Sequence, residues 1–379
     1  MRLGLGLGMN KGLLGGETPP TVSNVQLPTA ESNAVVGQVY TVTYNLGGGT
    51  PDTIVRTWYK DGIEIFTSTS SDSYTLVSSD AGNTANLYVN VYAVNSAGAS
   101  GQDSNTITTI YDLNAWNFIV EWQSHSALTM GSNQKLLNNE TVLAFKSANL
   151  WNTFVSRGVF LRIDCPASDT VTNANAYSVN LVNPSQKAVF TGFLAGDFTV
   201  NGIIGGTSKF VRYPVSPSTY PQNDVGHWTY CRTNATNTGC AFGAAPVNID
   251  TGSGTAMFMK WTDNNTYSKV NTASSYEIVT NVLPTTLGLI GHQRTAGGAF
   301  QLIQNTTLRR SSTAASTTPV TTPFNGHACN TNGVASGFDN RQHCGQYLGV
   351  QYLTGTDLTN FYTIIQNYQT KVISGGRQV

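Results

Sequence analysis

Residues 53–66, TIVRTWYKDGIEIF, place two short β-branched and aromatic runs on either side of Asp61-Gly62. An Asp-Gly pair between two such runs is a strong β-hairpin signal, because both residues accept the positive φ of a type I′ turn. Similar short runs, each bounded by Gly, Asn and Ser, recur through residues 22–110. The sequence therefore predicts about seven short strands here, which is typical of an immunoglobulin-like β-sandwich.

Trp58, within the hairpin, is the predicted anchor of this sandwich. No cysteine occurs between residues 22 and 110, so no disulfide can link the two sheets. The core must then come from apolar side chains on alternating strand positions. We expect Trp58 to be buried with Tyr40, Val89 and Val91.

The charge composition narrows the classes of partner. Of 379 residues only 11% are charged, and 20 basic residues balance 20 acidic ones. Nucleic-acid binding is not predicted, because it calls for a basic patch. A β protein with so few charges has few means of keeping its sheet edges from associating. We therefore expect a homo-oligomer or an assembled particle that covers these edges.

The first residues, MRLGLGLG, alternate leucine and glycine. In an extended strand Leu3, Leu5 and Leu7 share one face, and such a strand can add to the edge of a neighbouring subunit's sheet. A frayed terminus is the alternative. We expect these three leucines to form an assembly anchor. Membrane insertion is not predicted, because no apolar run approaches the roughly 20 residues that a transmembrane helix needs.

Two segments have apolar residues at helical spacing. Residues 135–158 contain one such stripe, for which Asn139 or Thr141 is a possible N-cap. Residues 356–372 contain the other, with Thr356 as the predicted N-cap. The stripe of this second helix consists of Leu358, Phe361, Tyr362, Ile365, Tyr368 and Val372.

The cysteines allow several arrangements. There are five, at positions 165, 231, 240, 329 and 344, so at least one thiol stays unpaired within the chain. Cys231 and Cys240 flank a short loop and could form a bridge. A second possibility is zinc, held by His327, Cys329, His343 and Cys344. Their spacing is not that of a standard zinc finger, so we predict no metal and expect buried thiols or one bridge.

Two groups of segments resemble phage virion proteins. TWYKDGIEI, SYTL, SDAG and VYAVNSAG resemble bacterial Ig-like modules of such proteins. LWNTFVSRGVFLRI, YSVNLVNPSQKAVFTGFLAGDFTVNGIIGG and LTNFYTIIQNYQT resemble consecutive blocks of a phage structural family with a concanavalin A-like (laminin-G-like) jelly roll and a closing C-terminal helix. The start MRLGLGLG is similar to the start of such proteins. The resemblance implies an anchoring arm at 1–18, an Ig-like sandwich at 19–110 and a jelly roll with helical lead-in at 111–379.

This resemblance implies a function in a virus particle. The chain would be a non-enzymatic bacteriophage structural protein, either a capsid decoration or head fibre protein or a tail fibre protein. Its partners would be other capsid or tail proteins and, through the jelly roll, host-surface glycans. The implied location is the virion, assembled in the cytoplasm of the bacterial host.

Catalysis is not predicted. Glucanases of the concanavalin A-like fold carry E-x-D-x-E on one strand, because glycoside hydrolysis generally uses a pair of carboxylates. This chain lacks that motif, and Glu121, Glu140 and Glu277 lie far apart in the second region. No G-x-S-x-G, H-E-x-x-H or phosphate-binding glycine loop is present. We predict no enzyme and no cofactor.

Two aromatic stretches, HWTYC and KWTDNNTY, are the predicted sugar-binding residues. Sugars stack on aromatic rings, and neighbouring amides and hydroxyls can orient them. The candidates are Trp228, Tyr230, Trp261 and Tyr267, with ordinary strand packing as the alternative. Asp263, Asn264 and Asn265 are too few to predict calcium. The alternative function is a soluble glycan-binding adhesin or, less favoured, a glycan hydrolase.

Overall fold

The computed structural model describes residues 17–28, 34–163, 174–199, 201–273, 276 and 278–372. The chain forms two compact units that divide between Leu113 and Asn114. The sequence predicted a boundary after residue 110. Most of the predicted arm at 1–18, including Leu3, Leu5 and Leu7, lies outside the described residues.

The first unit consists of short strands in small sheets. Strands β6-β5-β8-β9 form a four-stranded antiparallel sheet, and β1–β4, β3–β7 and the parallel pair β2–β10 complete the unit. Its strands are β1 Pro20–Gln26, β2 Ala34–Val35, β3 Val39–Thr41, β4 Thr43–Gly48, β5 Thr53–Lys60, β6 Ile63–Ser68, β7 Ser73–Thr75, β8 Leu87–Asn95, β9 Gly98–Asp103 and β10 Ile110–Tyr111.

The predicted hairpin and its core are confirmed. Asp61 and Gly62 have φ values of 53° and 78°, as a type I′ turn requires, and they connect β5 to β6. Trp58 has no exposed surface and belongs to one apolar cluster with Tyr40, Val89 and Val91. Packing around this ring replaces the disulfide that the unit lacks.

The second unit contains two large, mainly antiparallel sheets in a jelly-roll-like sandwich. The eight-stranded sheet runs β13-β14-β27-β16-β21-β22-β23 with β11 beside β27, and the nine-stranded sheet runs β12-β15-β24-β17-β18-β19-β20 with β25 and β26 attached. The strands are β11 Phe160–Ile163, β12 Val189–Thr191, β13 Phe198–Thr199, β14 Gly202–Ile204, β15 Phe210–Arg212, β16 Val225–Cys231, β17 Phe242–Ala245, β18 Gly254–Phe258, β19 Thr266–Thr272, β20 Ile278–Thr280, β21 Gly288–Ala296, β22 Ala299–Gln304, β23 Thr307–Ser312, β24 Asn325–Gly326, β25 Cys329–Thr331, β26 Val334–Ser336 and β27 Gln342–Val350.

The main core of this unit is the apolar cluster of Phe242 and Met257 from one sheet with Ile290 and Leu302 from the other. Helices cover the opposite face of the eight-stranded sheet. There, the ring of Phe361 lies 5.8 Å from that of Trp228 and 6.2 Å from that of Phe145. The central strands are consequently buried on both faces.

The described residues contain four α-helices: α1 Leu113–Ser126, α2 Ser132–Ser147, α3 Trp151–Arg157 and α4 Gly355–Lys371. The sequence missed α1. It also placed the start of α2 wrongly, because Asn139 and Thr141 lie inside the helix and Gly131 is its N-cap. The predicted C-terminal helix is confirmed, although its N-cap is Thr354 instead of Thr356. None of these helices has the length and apolar character of a transmembrane span.

The disulfide joins Cys240 to Cys329, which are 89 residues apart in sequence. Cys231 and Cys344 are buried thiols, and Cys165 lies outside the described residues. The short bridge between Cys231 and Cys240, which the sequence allowed as one possibility, is therefore not formed. Cys240 comes two residues before β17, and the parallel pairing of β17 with β25, with Gly243 opposite Cys329, brings the two cysteines together.

Candidate functional site

Trp228 lies in the core. It is fully buried in the middle of β16, and its indole ring crosses the backbone of Gly291 on β21. Phe361 of α4 packs beside it. No face of this ring is open, so the structure places Trp228 away from any sugar-stacking surface.

Tyr230, two residues later on β16, is also largely buried, with 4% of its surface exposed. Its hydroxyl donates a 2.8 Å hydrogen bond to Oε1 of Gln366 on α4, and burial raises its pKa to about 12. The guanidinium of Arg232 lies over its ring at 5.4 Å. Tyr230 and Arg232 line a cavity of about 510 Å³ between this strand end and α4.

Trp261 and Tyr267 do come together. Both side chains are half-buried, and their rings meet edge to face at 5.9 Å. Tyr276 extends the group, since its ring lies 5.5 Å from that of Tyr267. We call Trp261, Tyr267 and Tyr276 the aromatic platform. It lies on the outer face of the nine-stranded sheet, because the alternate residues Met257 and Val270 face the main core.

A tight turn between β18 and β19 presents Trp261. The Trp261 backbone N–H donates to the Asn265 carbonyl and the Asn264 N–H to the Trp261 carbonyl, both at 2.8 Å. Asn264 adopts a φ of 65°, which asparagine tolerates better than most residues. Asp263 Oδ1 accepts from the Asn265 N–H at 2.9 Å, an Asx turn. These bonds fix the loop that carries the indole ring.

Two carboxylates border the aromatic platform. Asp263 Oδ2 accepts hydrogen bonds from the Tyr267 hydroxyl at 2.6 Å and from Asn265 Nδ2 at 2.9 Å. The Tyr267 bond holds the pKa of exposed Asp263 below its usual 3.8 and raises the pKa of Tyr267. Asp250 Oδ1 accepts from the Tyr276 hydroxyl at 2.7 Å. The platform thus combines ring surfaces with fixed acceptors.

A small core supports the platform from below. Phe258 packs against Trp261 at 5.2 Å and Tyr276 at 5.6 Å, in the same cluster as the disulfide of Cys240 and Cys329. Buried Lys269 lies 5.2 Å from the Tyr276 ring, and its ammonium donates to the carbonyls of Ile249 and Gly252. The rings therefore rest on a cross-linked base, and a ligand would meet a preformed surface.

A second polar group resembles a catalytic triad in its contacts. Thr229 Oγ1 lies 2.7 Å from His343 Nδ1, and His343 Nε2 lies 3.3 Å from Asp339 Oδ2. All three side chains are fully buried, and Arg341 pairs with Asp339 at 2.9 Å. Burial would raise the pKa of Asp339, but the charge of Arg341 lowers it well below the usual range. Because no substrate reaches these groups, they act as an internal polar network.

Other carboxylates are dispersed in the second unit. Glu121 and Glu140 form ion pairs with Lys187 and Lys371, and Glu277 lies outside the described residues. The described residues contain no cluster of three or more His, Cys, Asp or Glu suited to a metal ion. Cys329, once a possible zinc ligand, is in the disulfide.

No protein-family model matches the chain, and no curated protein matches it significantly in sequence. Among solved structures, a mutant of HCR/D is similar at 12% identity and TM-score 0.36, over 55% of this chain and 51% of that one. Domain 4 of AbnA, a GH43 extracellular arabinanase from Geobacillus stearothermophilus, in complex with arabinotriose, is similar at 15% identity and TM-score 0.32, over 54% and 98%. Trypanosoma rangeli sialidase with 2,3-difluorosialic acid is similar at 10% identity and TM-score 0.37, over 88% and 49%.

This chain thus spans about half the length of the HCR/D and sialidase chains. Similarity at these scores carries no conclusion about ligand or activity, so the side chains described above must support any assignment.

Proposed function

We propose that the second unit is a non-catalytic glycan-binding β-sandwich that holds sugar on the aromatic platform. The observation that carries this proposal is the half-exposed pair Trp261 and Tyr267 beside the hydrogen-bonded carboxylate of Asp263. A pyranose ring presents an apolar face to stack on such rings and equatorial hydroxyls to donate to such acceptors. Preformed apolar surface with a few fixed polar groups is the usual design of a sugar site.

Non-catalytic binding fits the electrostatics of this site. A glycosidase needs a general acid whose pKa is raised so that it carries a proton near neutral pH. The pKa of Asp263 is shifted the other way by the hydrogen bond from Tyr267. Asp263 therefore stays ionised and serves as an acceptor.

The test is affinity electrophoresis of the full chain through gels that contain purified neutral polysaccharides. We expect at least one polysaccharide to retard the wild type. The affinity derived from this retardation should be at least tenfold lower for Trp261→Ala. Trp116→Ala removes another half-buried tryptophan, on α1, and should leave retardation unchanged. Equal retardation of wild type and Trp261→Ala would contradict the proposal, as would release of reducing ends from the retarding polysaccharide.

The role in a virus particle depends on the arm at 1–18. Leu3, Leu5 and Leu7 lie outside the described residues, and the described ones offer no observation that favours a capsid or a tail. Virion assembly therefore stays a prediction from the sequence resemblance, and glycan binding does not depend on it.

A further inference from the structure

The cavity of about 510 Å³ beside the C-terminal helix shares no residue with the aromatic platform. Its walls come from four places: the end of β16, residues 284–288 at the start of β21, the β22–β23 hairpin and α4. The side chains that matter are Tyr230, Arg232, Asn305, Arg309, Tyr362 and Gln366. A space of this size accommodates one or two sugar residues.

The cavity carries positive charge. Arg232 and Arg309 line it, and no Asp or Glu is among its lining residues. Arg232 is held in place, because its Nη2 donates to the carbonyl of Gln369 at 3.3 Å while its guanidinium lies over the Tyr230 ring. The fixed guanidinium of Arg232 thus lines the same cavity as that of Arg309.

Arg309 and Gln304 leave hydrogen-bonding groups unmatched at the wall. Nε of half-buried Arg309 is buried, and no acceptor among the described residues binds it. The Oε1 atom of buried Gln304 likewise has no donor in this part of the chain. Its Nε2 donates to the carbonyls of Thr285 and Leu287 at 3.1 and 3.0 Å. Buried polar atoms are nearly always satisfied, so each of these two lining residues keeps an unmatched group beside the cavity.

We propose that this cavity binds a sugar that carries a carboxylate. The guanidinium of Arg309 offers the paired donors that match a carboxylate. The amide of Asn305 offers partners for hydroxyl groups, and Tyr230 and Tyr362 supply ring surface. A bare inorganic anion would satisfy the charge but leave most of the cavity empty. This site is independent of the aromatic platform, which the proposed function assigns to neutral glycans.

The test is an NMR saturation-transfer titration of the full chain with D-glucuronic acid and with its neutral analogue D-glucuronamide. We expect glucuronate to bind at least tenfold more tightly than the amide. Arg309→Gln should weaken glucuronate binding at least tenfold. The matched control is Arg310→Gln, which changes the exposed neighbouring arginine on β23 that lies outside this cavity and should bind glucuronate normally.

Three outcomes overturn the proposal: equal binding of glucuronate and glucuronamide, unchanged binding by Arg309→Gln, or inorganic phosphate that binds as tightly as glucuronate. If circular dichroism shows that Arg309→Gln does not fold, Arg232→Gln takes its place with the same expected loss. Trp261→Ala should bind glucuronate like the wild type, so failure of the platform and failure of this cavity give different results.

Discussion

Two Trp-Thr pairs, Trp228-Thr229 and Trp261-Thr262, read alike in the sequence and lie in opposite environments. All seven residues of β16, which carries Trp228, are buried between β21 and β27. Trp261 is half-buried in the turn after β18. What packs on each face of a strand, more than the local sequence, therefore decides whether an aromatic ring can meet a ligand.

Burial on both faces explains why polar and apolar residues do not alternate regularly between exposed and buried positions in β16. A strand with one wet face alternates polar and apolar residues, whereas a strand covered on both faces does not need to. The main core covers one face of β16, and α4 covers the other through Phe361. The polar side chains of this strand must then find partners inside, as Thr229 does with His343.

The largest expected effect comes from the covered tryptophan. Trp228→Ala removes a fully buried indole ring, which should lower the free energy of unfolding by about 3–5 kcal/mol. Trp261→Ala removes a half-buried ring at a turn and should cost less than about 1 kcal/mol. Urea unfolding followed by circular dichroism measures both.

These two variants also separate stability from binding. Trp228→Ala, examined well below its unfolding midpoint, should bind neutral polysaccharide like the wild type, and Trp261→Ala should bind it at least tenfold more weakly. Similar losses of stability for the two variants would show that the contrast between the environments is mistaken.

The covered interior should also make the second unit sensitive to acid. Burial lowers the pKa of His227 to about 3 and those of His292 and His327 well below the usual 6.5. Below pH 6.5 the unfolded chain takes up protons at these sites and the native state does not. Stability is therefore lost as the pH falls, by up to about 1.4 kcal/mol per pH unit for each histidine.

The measurement is the free energy of unfolding at several pH values between 4.5 and 6.5. His227→Phe should reduce the slope by up to about 1.4 kcal/mol per pH unit, approached below about pH 5.5, whatever constant change the substitution adds. The low pKa of Asp339 affects stability only at more acidic pH. An unchanged slope in His227→Phe would mean that this histidine is protonated in the native state.

Local signals in the sequence were sufficient to predict the hairpin at Asp61-Gly62 and the C-terminal helix. Both turn chemistry and helical periodicity depend on residues that are close together in the sequence. Helix α1 was missed although Ala115, Phe118 and Ile119 have helical spacing. The disulfide could not be identified from the sequence, because only the pairing of β17 with β25 brings Cys240 near Cys329.

The binding surfaces were predictable only in part, because some of their residues are distant in the sequence. Trp261 and Tyr267 flank one turn and could be found together. Tyr276 joins them from a later segment, and Asp250 from an earlier one. No local pattern places Arg309 and Tyr230 at one cavity, because the order of strands in a sheet and the position of a helix bring them to it.

The smallest expected effect lies at the polar rim of the aromatic platform. Tyr267→Phe keeps the ring and removes the hydroxyl whose hydrogen bond lowers the pKa of Asp263. The pKa of Asp263 should rise toward 3.8, and the melting temperature should stay the same because Asp263 is exposed. Glycan affinity should fall less than in Trp261→Ala, since the stacking surface remains.

An NMR titration of the Asp263 side-chain carboxyl carbon measures this shift. Tyr276→Phe is the matched control, because its hydroxyl bonds to Asp250 and its removal should leave the pKa of Asp263 unchanged. If Tyr267→Phe left that pKa at its wild-type value, the hydroxyl would not be bonded to Asp263 in solution. Asp263 would then be held by its bonds from Asn265 alone, and Tyr267 would contribute only its ring to glycan binding.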